Sequence, residues 1–193
     1  MTPSDPDWEL MARLAQGSDQ ALSTLMERWQ EKLFSFLCRL TGNEESAADL
    51  AQETFVRVYE ARHKVRPTGR FSTWLFTIAT NLSRNLARWR RRHPTISLED
   101  PIDEDSSACL EEHLGSESHP GTRLEREELC EQVRSAVLSL PGPLKETLVL
   151  FEYEELSYEE IAQVLGCSRK IVEMRLYRAR KSLRKALTRK GLL

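Results

Sequence analysis

Lysine and arginine side chains are concentrated at the C-terminal end of the chain. Residues 166–193 carry ten of them and one acidic residue, Glu173, so this segment has a net charge of plus nine. A segment with one sign of charge repels itself unless a polyanion neutralises it, and phosphate groups are the usual polyanion. Arginine can also form paired hydrogen bonds to the edge of a base. The chemistry predicted for this segment is binding to the phosphates and bases of a nucleic acid.

Two helices joined by a tight turn are predicted to position these side chains. Ser157 and Glu160 have the spacing of a capping box, which starts the first helix. Gly166 stands where a turn between crossed helices needs a positive φ, and Ser168 can cap the second helix. This is the pattern of a helix-turn-helix, whose second helix enters the major groove of DNA.

The second of these helices has an apolar side and a charged side. Its apolar residues repeat at spacings of four, three, four and three, which is the period of one helix face. They are Val172, Leu176, Ala179, Leu183 and Ala186. The opposite face carries Lys170, Met174, Tyr177, Arg178, Lys181 and Lys185, with Glu173 and Arg184 on its flank. A solvated surface is the alternative for any one of these residues, but solvated helices normally mix both signs of charge.

Charge alternates in blocks along the chain, although the 28 basic and 30 acidic residues nearly cancel. Residues 1–61 have a net charge of minus six, residues 62–92 of plus nine and residues 93–122 of minus eight. Residues 123–165 have a net charge of minus six, and they precede the C-terminal segment, whose net charge is plus nine. We interpret these blocks as two DNA-facing domains joined by an acidic linker. The predicted limits are residues 1–93, 94–121 and 122–193.

The rest of the pattern is helical, so the predicted fold is all-α, with two small helical domains joined by a flexible acidic linker. The linker is rich in Pro, Ser, Gly, Asp and Glu and has little apolar periodicity. Ser18 is expected to cap the second helix, and the third should bury Leu50, Phe55, Val58 and Tyr59. Helices are predicted over residues 7–16, 18–42, 43–61, 72–92, 123–139, 144–153, 158–165 and 169–190.

The sequence argues against a membrane protein and against an enzyme. No apolar run approaches the length of a membrane span and the N-terminus is acidic, so we expect a soluble, cytoplasmic protein with no membrane contact of its own. We find no Gly-rich phosphate loop, nucleophile motif or paired carboxylates in the sequence, so neither catalysis nor a cofactor is predicted.

The cysteines are predicted to be reduced thiols, and no metal site is expected. Their positions, 38, 109, 130 and 167, lack the paired spacing of zinc ligands. A metal site in the linker is the alternative, although its spacing is irregular. It would use Cys109, His93, His113 and His119.

Two blocks of sequence, one in each predicted domain, resemble those of a known family, and each block consists of two strings. The first domain contains DLAQETFVRVYEA at residues 49–61 and FSTWLFTIATNLSRNLARWRRR at residues 71–92. The second contains LPGPLKETLVLFEYEELSYEEIAQVLGCS followed by RLYRARKSLRKAL. In this order, on either side of an acidic linker, the blocks resemble those of a group four, extracytoplasmic-function (ECF) sigma factor of bacterial RNA polymerase. A helix-turn-helix alone would be less specific, because many regulators share it.

The resemblance implies two roles for the first domain. The third helix would bind the clamp of core RNA polymerase through Asp49, Gln52, Glu53 and Arg57, although solvent exposure alone would also explain these residues. The following loop and helix would recognise and open the promoter minus 10 element, since flipped bases need stacking surfaces and the displaced strand needs cations. Trp74 is equally compatible with the core, and Phe71 is expected in the core. The implied minus 10 contacts are Arg62, Lys64, Arg66, Arg70, Trp74, Asn81, Arg84, Arg88, Arg91 and Arg92.

The resemblance implies that the helix-turn-helix reads the promoter minus 35 element. The implied contacts are Ser168, Arg169, Lys170, Glu173, Met174, Tyr177, Arg178 and Lys181. The chain has Lys170, Ile171 and Val172 where Gly-Thr-Val is common in the family, so it departs at Lys170 and Ile171, and again at Met174, where a small polar residue is frequent. We therefore expect its promoter preference to be determined here.

The implied partners are core RNA polymerase, through its clamp and flap regions, and promoter DNA. Control by a separate anti-sigma protein, by expression level or by phosphorylation is left open by the sequence. The main alternative is a stand-alone helix-turn-helix regulator, which would bind duplex DNA as a dimer without polymerase. A nucleic-acid enzyme is a third interpretation, but the sequence lacks the metal or acid cluster that it would need.

Overall fold

Helices make up the regular structure of the residues that the structure describes. The computed structural model describes residues 5–93 and 120–192, and these ranges contain eight helices and no strand. The all-α prediction is therefore confirmed. Most of the predicted linker, including Cys109, His113 and His119, lies outside the described residues. The helices are α1 (Pro6–Ala15), α2 (Asp19–Thr41), α3 (Glu44–Ala61), α4 (Phe71–Arg92), α5 (Pro120–Leu138), α6 (Gly142–Glu152), α7 (Tyr158–Leu165) and α8 (Arg169–Arg189).

The ends of α7 and α8 follow the signals predicted from the sequence. Ser157 and Glu160 form both hydrogen bonds of the capping box, and Gly166 ends α7 with a φ of 62°. A residue with a side chain is strained at this φ, so glycine is favoured at the turn. The Ser168 hydroxyl accepts a hydrogen bond from the N–H of Ile171 and so caps α8.

Other helix starts differ from the expectation, by up to three residues in position or in how they are capped. Ser18 occupies the predicted N-cap position of α2 and has the extended backbone of a cap, but in the described structure its side chain makes no capping hydrogen bond. Helix α6 begins at Gly142, earlier than predicted, because Pro143 fits the first turn, where an N–H has no helical partner to lose. For the same reason α1 begins at Pro6.

Aromatic side chains join α1 to the start of α4. Phe71 is fully buried, as expected, and Trp8 packs edge-on against it with ring centroids 5.3 Å apart. Trp29 of α2 contacts the same ring at 6.0 Å. Contacts with α1 and α2, which lie much earlier in the sequence, thus hold the first turn of α4 in place.

Helix α3 buries three of the four residues that were predicted to be buried. Leu50, Phe55 and Val58 lie in the core, whereas Tyr59 is 40% exposed, so the prediction for Tyr59 is wrong. A helix turns by about 100° per residue, so the residue after the fully buried Val58 is carried toward the surface. There the guanidinium of Arg62 covers the Tyr59 ring, 3.8 Å from its centroid.

One apolar cluster extends across both predicted domains. Helix α4 packs against α7, and α2 packs against α5 and α6. A Cβ added at Gly42, where α2 ends, would lie only 3.0 Å from Cδ1 of Leu138 on α5. The sequence did not indicate this contact between the domains. The cluster includes Phe36, Phe76 and Ala79 from the first domain and Leu148, Ile161 and Leu176 from the second.

A buried carboxylate lies in the contact between the domains. Glu154, in the loop after α6, has a side chain that is 7% exposed, and its Oε1 is 3.9 Å from Nη1 of Arg39 on α2. The Arg39 guanidinium also lies over the ring of Tyr153, 4.3 Å from the centroid. Burial raises the pKa of Glu154 to about 7, and the charges of Arg39 and Lys32 offset part of that rise. This carboxyl therefore titrates near neutral pH.

We expect Glu154 to make the stability of the protein depend on pH. Its folded pKa is raised above 4.5, so its contribution is fully present below that pH and is lost as the pH rises through about 7. Glu154→Gln has no such proton to lose, so its free energy of unfolding should vary less between about pH 5 and pH 8 in denaturant titrations. Glu155→Gln, at the exposed neighbouring position, should keep the wild-type dependence. Parallel pH profiles for wild type and Glu154→Gln would contradict the prediction.

Candidate nucleic-acid interface

Helix α8 buries one face and exposes the other. Val172, Leu176 and Ala179 are each at most 1% exposed, and the end of the apolar stripe is half-buried. On the opposite face Tyr177 is 68% exposed and Met174 is 43% exposed. The side chains predicted to face a groove therefore share one open surface. Its exposed members are Lys170, Glu173, Met174, Tyr177, Arg178, Lys181, Arg184 and Lys185.

Carboxylates hold two arginines beside that surface. Arg169 lies between Glu159 of α7, at 3.0 Å, and Glu173 of α8, at 3.3 Å. Arg180 contacts Glu152 of α6 at 2.8 Å. These arginines bind α8 to its neighbouring helices, because a guanidinium can bridge carboxylates on different elements.

A second cationic surface runs from the loop before α4 along that helix. Arg88 donates to the side chain of Asn85, and Arg91 and Arg92 donate to main-chain carbonyls one turn earlier. Such local contacts leave the charges at the surface of the helix. The exposed members of the predicted minus 10 set are Lys64, Arg66, Arg70, Asn81, Arg88, Arg91 and Arg92, and Arg62 is half-buried.

Two of the predicted minus 10 cations contact carboxylates of the second domain. Arg84 donates from Nε and Nη2 to the two oxygens of Glu146 on α6, at 3.0 Å and 2.6 Å. Nη1 of Arg70 lies 3.3 Å from Oε1 of Glu160, the capping-box residue of α7. Burial acts to raise the pKa of Glu160, but hydrogen bonds from Ser157 and Arg70 outweigh it and lower the pKa. Neither pairing was predicted from the sequence.

Trp74 lies on the second cationic surface, and the sequence was compatible with either core packing or stacking on a base for its ring. Its side chain is half-buried, with ring centroids 5.4 Å from Trp8 and 5.6 Å from Phe71. Core residues therefore cover part of the ring, and the remainder is accessible for stacking.

Trp8 of α1 and its N-cap Asp5 hold the end of the loop before α4, a contact that was not predicted from the sequence. One carboxylate oxygen of Asp5 accepts from the N–H of Asp7, at 3.1 Å, and the other accepts from the N–H of Phe71, at 2.8 Å. The indole N–H of Trp8 donates to the carbonyl of Gly69 at 2.9 Å. An Asp directly before a Pro is a local sequence signal for the first of these hydrogen bonds, by which Asp5 caps the start of α1. No local pattern signals the second, because its partners are 66 residues apart.

A third surface, on the outer side of α3, combines charged and apolar side chains. Arg57 contacts Glu53 at 2.7 Å and Glu60 at 3.3 Å. On the same helix Val56 is 47% exposed and Tyr59 is 40% exposed. Exposed apolar and aromatic residues beside charged ones are typical of a protein contact, and Val56 is a member of this surface that was not predicted from the sequence. The predicted polymerase contacts lie here, with Asp49, Gln52 and Arg57 exposed and Glu53 half-buried.

Comparisons with known proteins assign the family. Residues 25–93 match the model of sigma-70 region 2, and residues 130–183 match that of sigma-70 region 4. The chain is 34% identical over 188 residues to the RNA polymerase sigma-H factor of Pseudomonas aeruginosa, covering 97% of this chain and 96% of that one. It is 33% identical over 180 residues to the ECF RNA polymerase sigma-E factor of Escherichia coli K12, covering 92% of each. The chain belongs to the ECF sigma factors.

The fold of this sigma factor matches solved structures over most of its length. The structure of CnrH in complex with the cytosolic domain of CnrY superimposes with a TM-score of 0.68 at 30% identity, covering 95% of this chain and 98% of that chain. The sigma factor RpoE of Bartonella quintana, in complex with the anti-sigma factor NepR, gives a TM-score of 0.63 at 22% identity, covering 86% and 96%. The second match bears on the fold alone.

This sigma factor binds core RNA polymerase and promoter DNA and directs promoter-specific initiation of transcription. The resemblance read from the sequence is thus confirmed. The relatives match along both domains, which gives no support to a stand-alone helix-turn-helix regulator. Within residues 5–93 and 120–192, the helices lack the combination of length and apolar character that crossing a bilayer requires.

Proposed function

We propose that this sigma factor reads its promoters with two cationic surfaces. The minus 35 surface is the outer face of α8 with its cap, and it would lie in the major groove. The open face of α8, opposite the buried Val172, Leu176 and Ala179, is the observation that carries this proposal. The minus 35 surface comprises Ser168, Arg169, Lys170, Glu173, Met174, Tyr177, Arg178 and Lys181.

The minus 10 surface lies on the loop before α4 and on α4 itself, and its proposed role is to capture bases and hold the opened strand. Unstacking a base step costs a few kcal/mol, which stacking contacts and contacts to phosphates would offset. Residues 1–93 would form the domain that carries this surface, and residues 122–193 the domain that carries the minus 35 surface. The acidic segment 94–121 would join them and avoid DNA through its charge. The minus 10 surface comprises Arg62, Lys64, Arg66, Arg70, Trp74, Asn81, Arg84, Arg88, Arg91 and Arg92.

The outer side of α3 is the proposed contact with the polymerase clamp. Asp49, Gln52, Glu53 and Arg57 would supply polar contacts there, and the exposed Val56 would supply an apolar one. The flap region of core RNA polymerase is a second proposed contact of the chain. On this view the chain acts by binding alone, without a catalytic step, cofactor or metal, in the bacterial cytoplasm.

A protein partner that controls this sigma factor is a further part of the proposal. CnrH was solved with the cytosolic domain of CnrY, and RpoE of Bartonella quintana with the anti-sigma factor NepR. By analogy with the CnrH complex, we propose that a separate regulatory protein, of the anti-sigma kind that the sequence left open, binds this chain. Co-purification of the tagged chain from its own bacterium would test this, and a chain recovered with polymerase alone under all growth conditions would count against it.

Run-off transcription tests the proposed function directly. Purified core polymerase on a genomic promoter library should produce new transcripts when the chain is added, and the responding promoters should share two separated, non-palindromic elements. The chain alone should show weak or no specific binding to duplex DNA. A library on which no promoter gains transcripts would refute the proposal.

Arg178→Ala should relax recognition of the upstream promoter element. Losing a bidentate contact to guanine typically costs about 1 to 3 kcal/mol of discrimination, or roughly five- to 150-fold. Transcription from promoters with single changes in either element measures this effect. Arg180→Ala removes the same charge from α8, but Arg180 is held by Glu152, so discrimination should persist. An equal loss at every upstream sequence would instead indicate that Arg178 contacts phosphate.

A further inference from the structure

The part of the minus 10 surface around Arg84 is partly covered by the second domain of the same chain. The side chain of Glu146 is 11% exposed, and that of Arg84 is 31% exposed. Glu146 therefore covers part of the Arg84 guanidinium, and a DNA strand can contact its Nε and Nη2 edge only if α6 moves away. Arg70 is 69% exposed and marks the edge of the covered region.

The contacts in this region use the hydrogen-bond donors that a phosphate would need. The guanidinium fork binds carboxylate and phosphate with the same planar, bidentate geometry. The Nε and Nη2 atoms of Arg84 already donate to Glu146 at 3.0 Å and 2.6 Å. This fork cannot bind a phosphate in the same way at the same time, so Glu146 and a DNA strand exclude each other at Arg84.

The second carboxylate at this contact is held in a fixed position. One oxygen of Glu160 accepts from the N–H and the hydroxyl of Ser157, at 2.8 Å and 2.7 Å, and the other faces Arg70. One turn further along α7, Oε1 of Gln163 lies 3.8 Å from where a Cβ on Gly69 would stand. The first helix of the helix-turn-helix thus lies against the end of the minus 10 loop.

Charge and apolar packing both stabilise this arrangement. Residues 62–92 carry plus nine and residues 123–165 carry minus six, and the contact brings the two blocks together. The shared apolar cluster lies beneath the ion pairs, with Phe76 and Ala79 of α4 in the same cluster as Ile161 of α7. A contact of this mixed composition is typical of domains that can separate.

We propose that α4 is a shared docking surface, on which the acidic side of the second domain, centred on Glu146 and Glu160, competes with the promoter minus 10 strand. The inference rests on the proposed role of Arg70 and Arg84 in binding that strand. In the free protein the second domain masks this surface. Separation of the two domains, as promoter reading at two points requires, unmasks it.

The test measures binding of the full-length chain, without polymerase, to labelled single-stranded DNA containing the minus 10 element of a promoter found by run-off transcription. Glu146→Gln should bind this DNA about tenfold more tightly than wild type, because masking lowers the apparent affinity by the fraction of open molecules. Glu146→Arg, which brings like charges together, should show a larger gain. The radius of gyration from small-angle X-ray scattering should rise in both variants, with circular dichroism reporting that they stay folded.

Glu152 provides the matched control on the same helix. Its carboxylate contacts Arg180 of its own domain at 2.8 Å, so Glu152→Gln and Glu152→Arg change the charge equally without releasing α4. If both positions raise the affinity alike, or if neither Glu146 variant changes affinity and radius of gyration, the masking proposal is wrong. Failure of the proposed function looks different. In that case Arg84→Ala in the assembled polymerase would initiate transcription as wild type does, whatever the free chain binds.

Discussion

Glu53→Lys is expected to lower the affinity of this sigma factor for core RNA polymerase by a factor of about one hundred or more. Like charges brought together in an interface cost several kcal/mol, and each 1.4 kcal/mol is about tenfold in affinity. The fold should survive, because the Glu53 and Arg57 side chains are 40% and 53% exposed and such a pair contributes only about 0.3 to 0.5 kcal/mol to stability. The effect on binding thus greatly exceeds the effect on folding.

Competition for a limited amount of core polymerase measures the loss, with thermal unfolding recorded on the same samples. Glu27→Lys is the control, since Glu27 is an exposed glutamate on α2 and undergoes the same charge change. It should leave the affinity close to that of wild type. Equal affinities for wild type and Glu53→Lys would remove Glu53 from the polymerase contact.

Leu176→Ala is expected to destabilise the second domain by about 2 to 5 kcal/mol, the usual result of deleting a buried leucine side chain. Leu176 is 1% exposed and belongs to the cluster that also contains Leu148 and Ile161. Since whole domains are stable by only about 5 to 15 kcal/mol, much of the domain's stability would be lost. Denaturant unfolding, followed by circular dichroism, gives the free energy directly.

The adjacent residue on α8 provides the contrast. Tyr177 is 68% exposed, so Tyr177→Ala should change the free energy of unfolding by less than about 0.5 kcal/mol. It should nevertheless weaken transcription from promoters that depend on the upstream element. If Tyr177→Ala destabilised the domain as much as Leu176→Ala, the assigned faces of α8 would be wrong.

Local signals explain why much of this protein could be predicted. A capping box, a glycine at positive φ and an apolar stripe with helical spacing act within one or two turns, so Ser157, Gly166 and Leu176 have the predicted roles. An apolar residue type alone does not choose the buried face of a helix. Tyr59 was expected in the core, but the rotation of α3 past the buried Val58 turns it outward, where Arg62 covers it.

The sequence alone determined the helices, the helix-turn-helix with its cationic face, the alternating charge blocks and the family. Each of these depends on residue types at short spacings, which folding does not rearrange. Only the tertiary structure decided that Glu146 pairs with Arg84 and that Asp5 caps α4. With 28 basic and 30 acidic residues, the chain offers many possible ion pairs between its domains. Packing of α4 against α7 selects among them, because the position of each charged side chain depends on how distant helices pack.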